Sequence, residues 1–311
     1  MNRDDLELFT AILEEKNLAK AAERLYLSTS TAGARLRAME AELGFELFER
    51  KKGARTALPT GKGQSFAPIA HQMLSLWNDC DRLSHASGAP TLTIATVDSF
   101  LDYNLSPLYQ SLITDHGFSL DIKCYPADMI YSLVSKKQAD IGFALYHTAA
   151  PSLNVTPVFS DDMVLIMPEH ADTAADTAAD SAAAVPISPS VLAPGKELFV
   201  GSRYNSNIGW GPEFMLWHER HIGSGSRPMV TATSISILTG FLAAGDFFSI
   251  VPLTTARGLQ KLYPLSIHPL DPAPPKRTLY MLTHKSPSKI SADNVEQFLR
   301  YLYPYLEQYG L

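Results

Sequence analysis

Between residues 28 and 62 the chain carries side chains suited to gripping nucleic acid. Four small hydroxyl-bearing residues, Ser28, Thr29, Ser30 and Thr31, stand in a row, and Ala34, Arg35 and Arg37 follow within two helical turns. Small polar residues at the start of a helix, with arginines beside them, can enter the DNA major groove and meet base edges from the N-terminal turns. Thirteen residues further on, Arg50, Lys51, Lys52, Arg55 and Lys62 occur without one acidic side chain between them. Cations spaced in this way lie well along phosphates, which dominate affinity for a duplex. The expected division of labour puts Ser30, Thr31 and Ala34 at bases with Thr29 near them, and Arg35, Arg37, Lys51, Lys52 and Arg55 at phosphates, with Arg50 in the same basic wing.

Such a helix has to be held from behind. A first helix is read over Asp4–Glu15, with Leu6, Phe9 and Leu13 on one face. A second runs over Leu18–Leu25, where Ala21 and Ala22 allow another backbone to come close. Tyr26, Leu27 and Ser28 form the turn, and Ser28 serves as N-cap because its hydroxyl can accept from an unpaired backbone N–H. In the third helix Ala32, Leu36, Met39 and Leu43 recur at steps of 4, 3 and 4, which is the buried face. Ser30, Thr31, Ala34, Arg37 and Ala38 are left on the opposite face, flanked by Arg35. Gly44 ends the helix, Phe45, Leu47 and Phe48 anchor the chain behind it, Gly53 suits a hairpin turn, and Thr56–Leu58 suits the returning strand. The layout is a winged helix-turn-helix.

The runs Leu18–Ser28 (LAKAAERLYLS) and Leu36–Arg50 (LRAMEAELGFELFER) resemble the N-terminal signature of LysR-type transcriptional regulators. The resemblance is dense over residues 4–63 and looser to about residue 303. Where the family usually has Gln-Pro after the capping serine, Thr29 and Ser30 stand here, and Gly33 and Ala34 replace its common Ser-Arg pair. The wing is about two residues longer before Thr60-Gly-Lys-Gly63. These departures leave the fold expectation intact but not the operator sequence. The resemblance implies a dimerising linker helix, a two-lobed effector domain resembling periplasmic solute-binding proteins, an interrupted palindromic operator, and a tetramer built from dimers.

The charge distribution agrees. The 311 residues carry a net charge of −6, and 46% are apolar. Residues 1–62 hold 11 Lys/Arg against 10 Asp/Glu, whereas the remainder holds 15 against 22. The net charge argues against general coating of nucleic acid, and a DNA module with its cations concentrated, attached to an acidic body, fits the uneven split. Two cysteines, Cys80 and Cys124, far apart, suit a reducing cytoplasm and no disulfide framework. No targeting run or membrane-length apolar stretch is present, so no membrane partner is expected.

Over residues 61–87, Phe66, Ile69, Met73, Leu76, Cys80 and Leu83 repeat at 3, 4, 3, 4 and 3, an a/d heptad suited to a two-helix seam between chains. The alternative is one amphipathic helix packed on its own domain. Ser84–Pro90 has a hinge composition. From residue 91 strands and helices alternate: strands over Thr91–Val97, Phe118–Cys124, Ala139–Leu145, Met163–Met167, Leu198–Gly201, Met229–Thr231 and Phe247–Val251, with Leu265–Ile267 and Arg277–Thr283 returning to the first lobe. Helices are expected from Asp98 or Ser99 to His116, and over Ala127–Lys137, Asn207–His221, Ser234–Ala244 and Ala292–Tyr309. Alternation of this kind means open, mostly parallel α/β sheets. The effector domain is placed at 91–303, with one lobe over about 91–162 and 269–303 and the other over about 163–268.

Reaction chemistry is thin. There is no Gly-x-Ser-x-Gly elbow, Thr60-Gly-Lys-Gly63 lacks the spacing of a phosphate loop, and His218 and His221 stand three apart rather than four. Asp172, Asp176 and Asp180, in the Ala/Asp-rich run 171–184, lack the ligand spacing of a calcium loop. No catalytic residue, metal or cofactor is assigned. In open sheets ligands sit beyond strand ends, at helix N-termini. This places Ser99, Phe100, Asp128 and Tyr146 on one side of an inter-lobe cleft, and Gly201, Ser202 and Ser234 on the other. The reading is a cytoplasmic DNA-binding regulator that senses a small molecule as a homodimer or homotetramer. The alternative is a two-lobed binding or enzymatic protein whose N-terminal helices serve assembly.

Overall fold

The computed structural model describes residues 1–49, 56–84, 89–97, 105–169, 186–200, 210–223, 228–232, 235–242, 245 and 247–308. Two compact units result. One holds Met1–Gly88 with the short segments Lys136–Gln138 and Ser288–Ala292, and the other holds the rest of the chain.

The first unit is built from α1 (Arg3–Glu15), α2 (Leu18–Arg24), α3 (Thr29–Leu43) and the long α4 (Gly61–Ser84). Each of the first three starts on a side-chain cap. Asn2 and Asp5 form a capping box on α1, Asn17 accepts from Ala19 and Lys20, and Ser28 accepts from Thr31. Gly44 closes α3 at φ 74°, a left-handed geometry that favours glycine. Leu6, Phe9, Ile12, Ala21, Ala22, Ala32 and Met39 form the core with Leu47 and Phe48. After α3 the chain returns on itself: Phe48 bridges Pro59, and Glu49 donates its N–H to Leu58 at 2.8 Å. Gly63 sits so close to this return that a Cβ there would lie 2.1 Å from the Leu47 carbonyl oxygen. That contact, rather than phosphate binding, explains the glycine in Thr60-Gly-Lys-Gly63.

The seam reading of α4 needs a correction at its first position. Phe66 is buried in this unit's own core, edge-on to Phe9 at 5.2 Å, and Ala70 and Leu74 continue the inward stripe with Met73 partly covered. Ile69, Leu76, Trp77, Cys80 and Leu83 are exposed. The heptad spacing therefore splits between two faces: Phe66, Ala70 and Leu74 form an i, i+4, i+8 row that meets the core, and Ile69 stands about 60° round the helix from Phe66.

In the second unit a five-stranded sheet has the order β2-β1-β3-β10-β4, with β1 Thr91–Thr96, β2 Ser119–Cys124, β3 Ile141–Ala144, β4 Leu153–Asp161 and β10 Arg277–His284. Its two faces carry separate cores. Ile94 and Phe143 face Leu108, Leu112 of α5 (Ser106–Thr114) and Phe298, Leu302 of α10 (Lys289–Gln308). Ala95 and Ala144 face Ile130 and Val134 of α6 (Ala127–Ser135). A second group holds β5 (Met163–Pro168), β6 (Leu198–Val200), β7 (Val230–Ala232), β8 (Ser249–Pro252) and β9 (Leu265–His268), with α7 (Pro212–His221), α8 (Ile235–Leu242) and α9 (Leu253–Gln260). Alternation along β5 sends Val164 and Ile166 to one core, and Met163 and Leu165 to the other.

Three expectations change. The sheets are mixed: β1 runs parallel to β2 and β3, but β10 is antiparallel to β3 and β4, and β5 is antiparallel to β8 and β9. Leu265–His268 does not return to the first sheet; it pairs with β5. Strand β4 was not expected at all. The segment 171–184 lies outside the described residues.

The split of α4 yields a stability prediction. Phe66→Ala should remove about 3–5 kcal/mol from the unfolding of the first unit, read as a lower denaturant midpoint of the earlier transition. Ile69→Ala should leave that midpoint nearly unchanged in dilute protein. Equal effects would place Phe66 outside the core.

Candidate functional site

The outward face of α3 is made by its own start. The Ser28 hydroxyl accepts from Thr31 N at 3.0 Å and lies 2.8 Å from the hydroxyls of both Ser30 and Thr31. Capping thus gathers three hydroxyl groups on one exposed turn. Thr29, Ala34, Arg37 and Ala38 are exposed with them. Arg37 engages no acid among the described residues. Arg35 does not share this freedom. Its guanidinium turns back to α1, 3.0 Å from Asp4 and 3.2 Å from Asp5, so it braces the helix. Arg50, Lys51, Lys52 and Arg55 lie outside the described residues.

One residue on this surface was not singled out from the sequence. Tyr26, between α2 and α3, is 98% exposed at φ 55°. The only sequence signal was its position in the turn, since an aromatic in a tight turn reads as ordinary loop composition.

The second unit holds a cavity of about 300 Å³. Its walls come from the end of β3 (Leu145, Tyr146, His147), the start of β5 (Met163), the segment leading into α7 (Trp210–Phe214), and the entry to β10 (Pro275–Thr278, Tyr280). Residues of the five-stranded sheet and of the three-stranded sheet β8-β5-β9 therefore line it. Of the expected effector residues, Tyr146 lines this cavity. Its position is set by Tyr131, which stacks on it at 5.7 Å and donates its hydroxyl to the Tyr146 carbonyl at 2.9 Å. Burial and the nearby Asp128 carboxylate push the Tyr146 phenol above its ordinary range. Asp128 itself is exposed on the first turn of α6 and is not on the cavity wall. Ser99, Phe100, Gly201, Ser202 and Ser234 lie outside the described residues.

Arg277, Lys276, Trp210 and Phe214 were not singled out, because no spacing links residues 210 and 277. The Arg277 guanidinium lies over the Trp210 ring at 5.0 Å, and Trp210 stacks on Phe214 at 4.2 Å. Trp210 is held in turn by its indole N–H, which donates to the Val200 carbonyl. The Arg277 Nε is shielded from solvent and has no hydrogen-bond partner among the described residues. Burial pulls this guanidinium down to about 10, opposed by the Asp161 charge across the β4–β10 pair. Lys276 is exposed and ion-paired with Asp162 at 3.0 Å. His218, read from the sequence as one of a histidine pair, faces Glu197 at 2.6 Å instead.

Comparison with known proteins follows the same two units. Residues 3–64 match the family model described as bacterial regulatory helix-turn-helix protein, lysR family, and residues 85–304 match that of the LysR substrate binding domain. The HTH-type transcriptional regulator CysL of Bacillus subtilis is 30% identical over 172 residues, covering 54% of this chain and 57% of that protein. The match thus spans little more than half of CysL. HdfR of Escherichia fergusonii, also an HTH-type transcriptional regulator, is 24% identical over 262 residues, 83% of this chain and 84% of the relative. Among solved structures, a full-length OxyR variant from Pseudomonas aeruginosa aligns at TM-score 0.61 with 18% identity, covering 97% of this chain and 94% of that one. Full-length CbnR complexed with its target DNA aligns at 0.55 with 20% identity, covering 97% and 100%. At those identities the likeness is one of fold.

The unequal states of the two arginines on α3 can be measured. On a mixed-sequence duplex, Arg37→Ala should lower the slope of log affinity against log salt by about 0.9, one phosphate contact. Arg35→Ala should leave the slope unchanged and lower the thermal stability of the first unit. A slope change at Arg35 alone would reverse the assignment.

Proposed function

This chain belongs to the LysR family of DNA-binding transcription regulators, and from that premise we propose that α3 reads an interrupted palindromic operator under control of a small effector held in the second unit. The family's members are regulators and not enzymes. They bind DNA and effectors and act as oligomers. The observation that carries the proposal is the exposed hydroxyl turn of Ser28, Ser30 and Thr31 beside the unpaired Arg37. Such a turn offers donors and acceptors to base edges, while arginine takes phosphate. Ser30, Thr31 and Ala34 are the proposed base-facing residues, with Thr29 near them. Arg37 and the wing cations Arg50, Lys51, Lys52 and Arg55 are the proposed phosphate contacts. Arg35 is moved from that set to bracing α1.

Two protomers are needed to read two half-sites. Ile69, Leu76, Trp77, Cys80 and Leu83 leave an apolar face of α4 uncovered within one chain, which supports pairing of this helix with a second copy. Phe66 and Met73 are not part of that proposed face. A tetramer built from such dimers, and residues 61–87 as its linker, follow from the family resemblance. The effector domain is taken as 91–303, with Tyr146 and Asp128 together with Ser99, Phe100, Gly201, Ser202 and Ser234 forming the proposed ligand-facing set. Among the described residues no helix is long and apolar enough to cross a membrane, and a cytoplasmic site of action is proposed.

Assembly gives the decisive test. Leu76→Asp places a charge on the uncovered face, where pairing would have to bury it without a partner. Sedimentation should show smaller species, and duplex affinity should fall because the two reading heads lose their linkage. Thr31→Ala should alter base preference in selection from a random pool while leaving the oligomer intact. An unchanged oligomer in the Leu76 variant would remove α4 from the assembly.

A further inference from the structure

We propose that the cavity between Trp210 and Arg277 is a binding site for a small monocarboxylate with a flat apolar body, the carboxylate taken by Arg277 and the body lying among the surrounding rings. This rests on the reading of the second unit as effector-binding and names the chemical class of the effector.

The argument begins with a cost. A guanidinium set over an indole ring and shielded at Nε has lost much of its water, and a buried donor left unpaired is expensive. The nearest buried acid does not relieve it directly. The Asp161 carboxylate accepts from Thr254 N at 3.2 Å and from the Thr254 hydroxyl, and no ion pair closes on Arg277 among the described residues. The other cation on the wall, Lys276, is already paired with Asp162. The Arg277 Nε is thus an unfilled donor on the described wall of the cavity.

Geometry then selects the acceptor. The Arg277 Cζ lies over the Trp210 ring and its Nε has no partner among the described residues, so the guanidinium has N–H groups to offer a ligand. A planar oxyanion matches a guanidinium edge with two parallel hydrogen bonds, which a carboxylate does well. The remaining wall carries the rings of Tyr146, His147, Phe214 and Tyr280, with Met163, and its surface is polar and apolar in about equal measure. Flat bodies lie well against such rings. A volume of about 300 Å³ is on the order of ten waters, which limits the occupant to a small molecule. The single acid on the described wall, Glu213, is exposed on the first turn of α7, where solvent weakens its repulsion of an anion.

The test uses the full-length chain and calorimetric titration with phenylacetate, cinnamate and 2-naphthoate, each beside its carboxamide. At least one acid should bind tenfold or more tightly than its amide. Arg277→Met should lose at least tenfold in affinity for that acid, and Arg277→Lys should fall between. Gly211→Leu fills the cavity from a position where a Cβ meets nothing within 4 Å and φ is −73°. It should abolish binding with the fold intact, so it decides the matter even if Arg277→Met fails to fold. The site is overturned if no acid outbinds its amide, or if the Gly211 variant binds as well as the parent. The wider reading fails separately. A chain that binds the acid through Arg277 yet shows unaltered operator binding and reporter output keeps the site and loses the sensor.

Discussion

Phe9 has no exposed surface and touches two other rings, Phe48 at 5.6 Å and Phe66 at 5.2 Å. These three residues belong to α1, to the return after α3, and to α4. One cluster therefore ties together α1, the return after α3 and the start of α4. Arg35 adds a polar tie from α3 to α1. Glu40 adds another from behind: although buried, its carboxylate accepts from Leu47 N at 2.8 Å and Phe48 N at 3.4 Å. A buried carboxylate is tolerable when backbone N–H groups satisfy it. The result is one packed head with the Ser28, Ser30 and Thr31 hydroxyls hydrogen-bonded together on its surface, and recognition by donors and acceptors depends on such positioning.

The second unit follows another constraint. Its chain leaves the five-stranded sheet at Asp161, enters the three-stranded sheet β8-β5-β9 at Met163, and comes back between His268 and Arg277. The first of these crossings is only one residue long. Asp161 reaches across it to cap the start of α9 through Thr254. The cavity lies where the walls from the two sheets meet, with Met163 and Arg277 each at the first residue of a strand that begins there.

The parts of the fold that were legible were those fixed by local chemistry. Ser28 as cap, Gly44 as stop and the inward face of α3 need only a few residues of context; the cap and stop hold, and on that face Ala32 and Met39 are buried while Leu36 and Leu43 are partly covered. Strand β4 was missed because Pro157 lies in its middle, and proline in a run argues against a strand. Here the strand is at the sheet's edge and the ladder slips beside that proline, between Leu279 and Tyr280 of its partner, so the missing N–H is tolerated. The partner of Leu265–His268 was misread because strand pairing over about 100 residues leaves no trace in composition. Phe66 was misplaced because a heptad count cannot say which of two neighbours an apolar stripe will meet. At the site, Tyr146 was legible as a strand-end residue. Trp210 and Arg277 were not, since each is an ordinary residue until the fold sets one over the other.

That last pair shows how a ligand could bear on the whole unit. A ligand moves a conformational equilibrium only by touching the two states differently. Tyr280 belongs to the five-stranded sheet and Tyr146 follows its strand β3, while Met163 belongs to the three-stranded sheet and Trp210 and Phe214 pack in one core with it. Any change in the angle between the sheets must alter the distance between those walls, and so must alter what a molecule lodged there can contact. Arg277 lies at the junction itself, opposite Asp161 in the ladder. An anion placed on it would add negative charge beside the carboxylate that caps α9. Under the proposed binding, the ligand and Asp161 would share the field of one guanidinium.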